Sequence, residues 1–402
     1  MDAVRNIPEI CSSLCAGGYT VRFRGFSAID RYLRLPALPF LWAETDADIT
    51  VLARIVDNLR FPGVEIADGA VDCSDGTCYF RCLDSDEKNE KDFSFQLLSF
   101  AYDWQTKRFQ DPLGLYPLLR ELKCKLKCNG KDLVKYPGDV SPGKLDGWRD
   151  IMDAALILAR YNLHDCFSGL TQSVAGNPPG PLPSPELQRA FLSCLLVSPR
   201  PDRGFEFLKS SKFLEAFWPE LAILDTVDHS KEYHPEGNVW NHTLETFQHR
   251  KPSGSGAFDL RLSLGLLLHD TGKPISASSG SHRFDGHAEL GARAAARFME
   301  RLEFEPAIIQ DIFFLVKNHM LPAALKRLPL TKTAEIMTSP LFPVLMELYR
   351  CDESSSFKGL DGYYENSAAY QTYLKNLKNP YRSANGKKMG KNEMRHYARK
   401  TR

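Results

Sequence analysis

Two phrases hold the side chains best suited to chemistry. HPEGNVWNHT (234–243) supplies His242, and LLLHDTGKP (266–274) supplies the adjacent His269 and Asp270. His287 follows in FDGHAELGA (284–292), His319 in VKNHM (316–320), and Asp352 after a long apolar stretch. Most of the ten histidines fall in this part of the chain. Neutral imidazole and carboxylate are natural ligands of divalent transition ions, and helices can aim them inward from several segments. The pattern therefore predicts a metal site. Lys273, three residues past Asp270, is placed to offer a cation to a phosphate beside it. His234 and His282 lack such company and read as capping or loop residues.

The elements that must position these groups are helical. LRLSLGLLL (260–268) is apolar nearly all round, the mark of a buried helix. It delivers His269 and Asp270 at its C-terminal end, where Gly272 and Pro274 stop it. GHAELGARAAARFMERL (286–302) reads as an alanine-rich second helix with His287 in its first turn. EPAIIQDIFFLVKNHM (305–320) is a third, with His319 near its end.

The series H…HD…H…H…D with HDxGK resembles the HD superfamily of metal-dependent phosphohydrolases. HPEGNVWNHT with the upstream FWPEL (217–221) is similar to the HD domain joined to bacterial tRNA nucleotidyltransferases and poly(A) polymerases. The resemblance implies that His242, His269, Asp270 and Asp352 hold one divalent ion (Mn, Ni, Mg, Fe or Co). It implies that His287 and His319 hold a second, bridged by Asp270.

Residues 1–145 alternate apolar segments with short helical ones. YTVRFRGFSAIDRYL (19–33) reads as strand, tight glycine turn and helix. ADITVLARIV (47–56) begins like a strand and continues into a helix; TCYFRCL (77–83) is a further strand. DFSFQLLSFAYDW (92–104) reads as helix or strand, and RFQDPLG (108–114) as a turn. In ETDADITV, a strand would set Asp46 and Asp48 on one face, since side chains alternate with period two. Paired carboxylates of that kind hold Mg²⁺ against a nucleoside triphosphate.

GFSAIDRYL, DAD, KDFSFQLLSFAYD and FQDPLGLYPLL in that order resemble the head of the class II nucleotidyltransferases. LDGWRD (145–150) resembles that family's base-reading motif, which would give Asp146 and Arg149 the task of selecting the incoming base. The chain departs from the pattern at Phe26, Ile29, Glu90, Lys91 and Leu145. Lost glycines and arginines weaken a triphosphate site, by blocking close backbone approach and removing forked donors.

The 402 residues carry 51 Lys+Arg against 50 Asp+Glu, which excludes a bulk polyanion binder. No apolar run is long enough for a membrane helix, and the N-terminus lacks the order of a secretory signal. The ten dispersed cysteines read as reduced thiols, pointing to the cytoplasm. WRDIMDAALILARYNL (148–163), ELQRAFLSCLLV (186–197) and RGFEFLKSSKFLEAFW (203–218) read as helices, and AGNPPGPLPSPE (175–186) as a proline-rich break. Ser184 then caps a helix with Pro185 in its first turn. Beyond Asp352 come a loop, a helix with exposed tyrosines and a basic tail able to touch RNA phosphates.

The expected fold class is α+β. A nucleotidyltransferase-like head (1–145) precedes a helical neck (146–228), an all-α HD domain (229–357) and a C-terminal helix with tail (358–402). The expected activity is metal-dependent phosphoester hydrolysis on nucleotide or RNA ends. Addition of nucleotides to RNA 3′ ends, with Mg at Asp46 and Asp48, and RNA binding without catalysis are the alternatives. RNA and nucleotides are the expected partners, with no DNA and no membrane.

Overall fold

A computed structural model describes residues 5–64, 66–83, 95–127, 145, 147–161, 182–228, 237–278, 284–356 and 359–379, with 134, 163, 167, 382–383 and 386–388. Asp146, His234, His282, the 84–94 stretch with Glu90 and Lys91, most of the proline-rich break and most of the basic tail lie outside these residues. The fold is α+β and forms two compact units. One comprises 1–222, 251–260 and 301–304; the other comprises 223–250, 261–300 and 305–402.

The first unit holds a six-stranded sheet of order β3-β4-β2-β1-β5-β6. Its strands are β1 (Val21–Arg24), β2 (Phe40–Thr45), β3 (Gly69–Cys73), β4 (Gly76–Cys82), β5 (Ala101–Asp103) and β6 (Arg108–Gln110). Only the β2–β4 pair is parallel among the described pairs. Alternation decides the faces: Val21 and Phe23 are buried, while Arg22 and Arg24 sit on the other side. Helices α1 (Ile7–Ala16), α2 (Phe26–Leu33), α3 (Ile49–Ile55) and α4 (Tyr116–Lys127) accompany the sheet. Gly25, at φ 57°, makes the expected turn from β1 into α2.

Two readings of this unit change. Ile49, Thr50 and Val51 are helical, because Asp48 is the N-cap of α3 and accepts from Val51 N at 2.8 Å. The Asp46–Asp48 pair thus lies beyond the end of β2 and not along a strand. The 92–104 stretch is a short 3₁₀ turn, Gln96–Ser99, followed by β5, and 108–110 is strand β6 before the turn.

The helical part of the unit contains α5 (Trp148–Arg160), α6 (Pro185–Leu196), α7 (Pro201–Ser210), α8 (Phe213–Phe217) and α9 (Pro219–Ala222). Ser184 caps α6 as expected. Gly204 lets α7 approach α5: a Cβ there would lie 2.8 Å from the Ala155 carbonyl oxygen. The helix expected over 203–218 is broken in two, with Lys212 at φ 63°.

The second unit is helical: α10 (Val239–Gln248), α11 (Leu260–Leu268), α12 (Lys273–Ser278), α13 (His287–Arg301), α14 (Pro306–Asn318), α15 (Leu330–Met337), α16 (Phe342–Ser354) and α17 (Asp361–Lys378). Leu262 to Leu268 of α11 are all buried. Gly265 brings α11 close to Leu315 of α14 and Leu348 of α16. Tyr370 and Tyr373 of α17, expected at the surface, are buried; Tyr370 packs on Phe342 at 4.6 Å. Among the described residues no helix is long and apolar enough to cross a membrane.

Candidate metal centre

The second unit brings together six of the residues singled out above. His242 comes from the first turns of α10, and His269 and Asp270 from the end of α11. His287 opens α13, His319 ends α14, and Asp352 lies in the last turn of α16. The approach of α13 depends on two glycines. A Cβ on Gly272 would strike the His287 carbonyl and come within 2.5 Å of Gly291 N. Thr271 Oγ1 donates to Leu268 O at 2.7 Å and reaches Gly291 O at 3.3 Å, fixing the turn that carries Asp270.

The ligand atoms form two trios, His242–His269–Asp352 and Asp270–His287–His319, each with its atoms within 4.8 Å of one another. His242 Nε2 stands 2.9 Å from Asp352 Oδ1, and His269 Nε2 3.9 Å from the same oxygen. Asp270 links the trios: Oδ2 lies 3.2 Å from His269 Nε2, while Oδ1 lies 3.6 Å from His287 Nε2 and 3.9 Å from His319 Nε2. His287 Nε2 and His319 Nε2 are 3.1 Å apart. Two imidazole nitrogens so close need a proton or a cation between them.

The outer ring nitrogens set the tautomers. His269 Nδ1 lies 2.7 Å from Leu266 O, His287 Nδ1 2.8 Å from Phe284 O, and His319 Nδ1 2.7 Å from Val316 O. A carbonyl can only accept, so each Nδ1 carries the hydrogen and each Nε2 turns a lone pair inward. His242 Nδ1 meets Ser355 Oγ at 3.2 Å, and that hydroxyl donates to Asp352 O at 2.7 Å. Ser355 therefore accepts from His242 and gives it the same tautomer. This arrangement matches the outer hydrogen bonding expected around metal-ligating histidines.

The electrostatics agree. Burial, together with neighbouring His269, pushes His319 down to about 4, so it stays neutral. Burial likewise lowers His287. Burial alone would raise Asp270, but His269 and Lys273 pull it well below the usual carboxylate range. Asp352 is lowered in the same way, burial being overcome by His242 and then His269. The result is neutral His287 and His319 beside ionised Asp270 and Asp352, a donor set that suits a divalent cation. His269 Nε2 is a buried ring nitrogen without a hydrogen-bond partner, the mark of an atom whose natural partner is a metal.

The other expected residues are placed as follows. Lys273 Nζ lies 2.6 Å from Asp270 Oδ2, at the edge of the centre. Asp46 and Asp48 are exposed in the first unit, where Asp46 accepts from Thr20 N at 2.7 Å. Arg149 is exposed on α5, 3.8 Å from Asp153. Ser355 and the Gly272–Gly291 contact were not read from the sequence. The ends of α11 and α14 could have suggested the carbonyl partners, since a histidine just past a helix end faces carbonyls left open there.

Residues 239–339 match the HD domain family, and Asp352 joins the centre from beyond that stretch. This stretch is thus similar to an HD domain. Among curated proteins, the CC-adding tRNA nucleotidyltransferase of Thermus thermophilus is 34% identical over 146 residues, 35% of this chain and 33% of that protein. The Multifunctional CCA protein of Halorhodospira halophila is 34% identical over 128 residues, 31% of this chain and 29% of that protein. The matched stretch spans about a third of the length of these relatives. Among solved structures, the CCA-adding enzyme of Bacillus stearothermophilus in complex with CTP is 12% identical, with 98% of this chain and 91% of that one covered and a TM-score of 0.49. The chain is thus similar to the HD domain family over residues 239–339 and to tRNA nucleotidyltransferases over about a third of its length.

Proposed function

We propose that the chain processes RNA ends. Relatives named for CC and CCA addition support template-independent addition of nucleotides to a tRNA 3′ end, with RNA, CTP and ATP as partners. They support addition better than hydrolysis, the reverse of the order the motifs alone suggest. In this reading Asp46 and Asp48 hold Mg²⁺, and Asp146 with Arg149 selects the base. Incubation of tRNA lacking its CCA end with CTP and ATP tests it directly. Extension of the 3′ end is expected; none in Mg²⁺ or Mn²⁺ would retire it.

A second reading, metal-dependent hydrolysis of a phosphoester on a nucleotide or RNA end, is favoured by one observation. Two His/Asp trios converge on a single bridging carboxylate, Asp270. His242, His269 and Asp352 would hold one divalent ion and His287 and His319 the other. Bound there, such ions polarise a phosphoryl oxygen and bring the pKa of bound water near neutrality. The protein's own groups do the rest. Four imidazoles keep their Nε2 lone pairs inward, Asp270 spans both trios, and Lys273 can swing its ammonium from Asp270 to an incoming phosphate. Purified chain with Mn²⁺, Ni²⁺ or Mg²⁺ should cleave a chromogenic phosphodiester. Undiminished cleavage by His269→Ala would remove this reading. RNA binding with no turnover of either kind would leave a non-catalytic role on the same scaffold.

A further inference from the structure

Helix α17 is used by neither reading. It lies beyond Asp352 and outside the stretch that matches the HD domain. It nevertheless carries a buried polar side chain, Asn366, which is 6% exposed. Asn366 Oδ1 accepts from Lys326 N at 3.3 Å, and Nδ2 donates to Gly362 O, one turn back, at 2.8 Å. The amide also hydrogen-bonds the phenol of Tyr349 on α16, and that phenol hydrogen-bonds the Glu353 carboxylate. A carboxylate only accepts, so the hydroxyl donates to Glu353 and takes the second Nδ2 hydrogen of Asn366. Burial, then Glu353, pushes the phenol up to about 12, so it keeps the proton it donates. Gly362 makes room for this meeting: a Cβ there would lie 3.2 Å from Tyr349 Oη and 3.3 Å from Glu353 Oε2.

The two ends of this chain of bonds sit beside ligands of different trios. On one side, α16 carries Tyr349 one turn before Asp352 and Glu353 immediately after it. On the other, hydrogen-bonded turns run from the end of α14 to Lys326. Leu321 N donates to Asn318 O at 2.8 Å, Ala324 N to Leu321 O at 2.9 Å and Arg327 N to Ala324 O at 2.9 Å. The position of Lys326 is thereby tied to that of His319. Further along, α17 is held against α16 and α15: Tyr370 packs on Phe342, and Tyr373 Oη donates to Ala334 O at 3.3 Å.

We propose that α17 clamps the candidate metal centre and that Asn366 is a positioning residue, fixing the His319 segment against the Asp352 segment and so setting the spacing of the two trios. Asn366 acts through Tyr349 and Glu353 on one side and through the Lys326 turn on the other. Ligand sets tolerate little error, and a supporting shell that is about 1 Å too loose is enough to spoil a site. The inference rests on the reading that the trios hold two divalent ions, and on no particular reaction at them.

The test loads the full chain with Mn²⁺ and follows it by titration calorimetry and electron paramagnetic resonance. Two Mn²⁺ ions bridged by one carboxylate couple magnetically and lose the hyperfine pattern of an isolated ion. The wild type should bind two ions and give the coupled spectrum. Asn366→Ala should weaken the second ion about tenfold, the low end of what an outer partner contributes. At two equivalents of Mn²⁺ it should show the isolated pattern. Tyr349→Phe keeps the ring and removes only the hydroxyl. It should act in the same direction, and it carries the test if Asn366→Ala fails to fold. The double variant should lose no more than the weaker-binding single one, because both break the same chain of bonds. A wild type that binds fewer than two ions overturns the metal reading and the clamp with it. A coupled wild type with equally tight and equally coupled variants overturns the clamp alone. So does a variant whose metal-free form melts earlier while its spectrum stays coupled, since that marks a structural role only.

Discussion

At the residue scale, the candidate metal centre is built as much by what orients each imidazole as by the imidazoles themselves. His269, His287 and His319 use backbone carbonyls, which no side-chain change removes. His242 alone relies on a hydroxyl, Ser355 Oγ, itself anchored on Asp352 O. Ser355→Ala would remove the hydroxyl that meets His242 Nδ1 and weaken the hold on the ring's tautomer. Loss of such an outer partner typically costs 10- to 100-fold in metal affinity, so titration calorimetry with Mn²⁺ should show about that weakening. Ser355→Thr, which keeps the hydroxyl, should restore much of it. An unaltered Mn²⁺ affinity in the alanine variant would show that Asp352 alone aligns His242. The convergence of the six candidate ligands was legible because histidine is scarce and clustered, and because His269-Asp270 follows an apolar helix. Ser355 was not legible: a serine after an aspartate has no pattern of its own until α10 and α16 meet.

At the level of elements, the sequence spoke most clearly where periodicity and caps agreed. Residues 260–268 gave a helix with those same bounds, and Ser184-Pro185 started α6. It misled where a local hydrogen bond outweighed propensity. Ile49, Thr50 and Val51 favour strands, yet the Asp48 cap makes them helical. The apolar repeat runs on through 203–218 across the left-handed Lys212, which divides α7 from α8. Tyr370 and Tyr373 looked exposed because the surface they bury against, including Phe342 of α16 and Ala334 O of α15, is remote in sequence. The approach of elements that matters most for chemistry is Gly272 against Gly291. Gly272→Ala must push the start of α13 away, since its methyl would meet backbone atoms that cannot turn aside. Overpacking of this kind costs about 1–3 kcal/mol, occasionally more, and here the displaced residue is His287. The variant should unfold at a lower temperature and bind Mn²⁺ at reduced stoichiometry, because the trio containing His287 is disrupted while the trio with His242 persists. A wild-type stoichiometry would mean that His287 is not needed to hold the second ion.

For the whole molecule, the division into two compact units sets where a metal can act. All six candidate ligands lie in the second unit, and the six-stranded sheet lies entirely in the first. That division was only partly legible, since segments 251–260 and 301–304 group with the first unit although they flank helices of the second. A ligand that binds only the folded form stabilises it by RT ln(1 + [L]/Kd), about 2.7 kcal/mol at a hundredfold excess over Kd. That free energy appears first in the segments that must come apart before the ion is released. Hydrogen exchange of the full chain, with and without Mn²⁺, should therefore show slowed exchange in 239–248, 260–273, 287–301, 306–319 and 342–354. Segments 21–24, 40–45 and 76–82 of the sheet should exchange as before. His269→Ala should abolish the difference. Protection spread evenly over both groups would mean that the ion binds elsewhere or that the units open as one. Protection confined to the sheet would move the metal to Asp46 and Asp48, and with it the chemistry to the first unit.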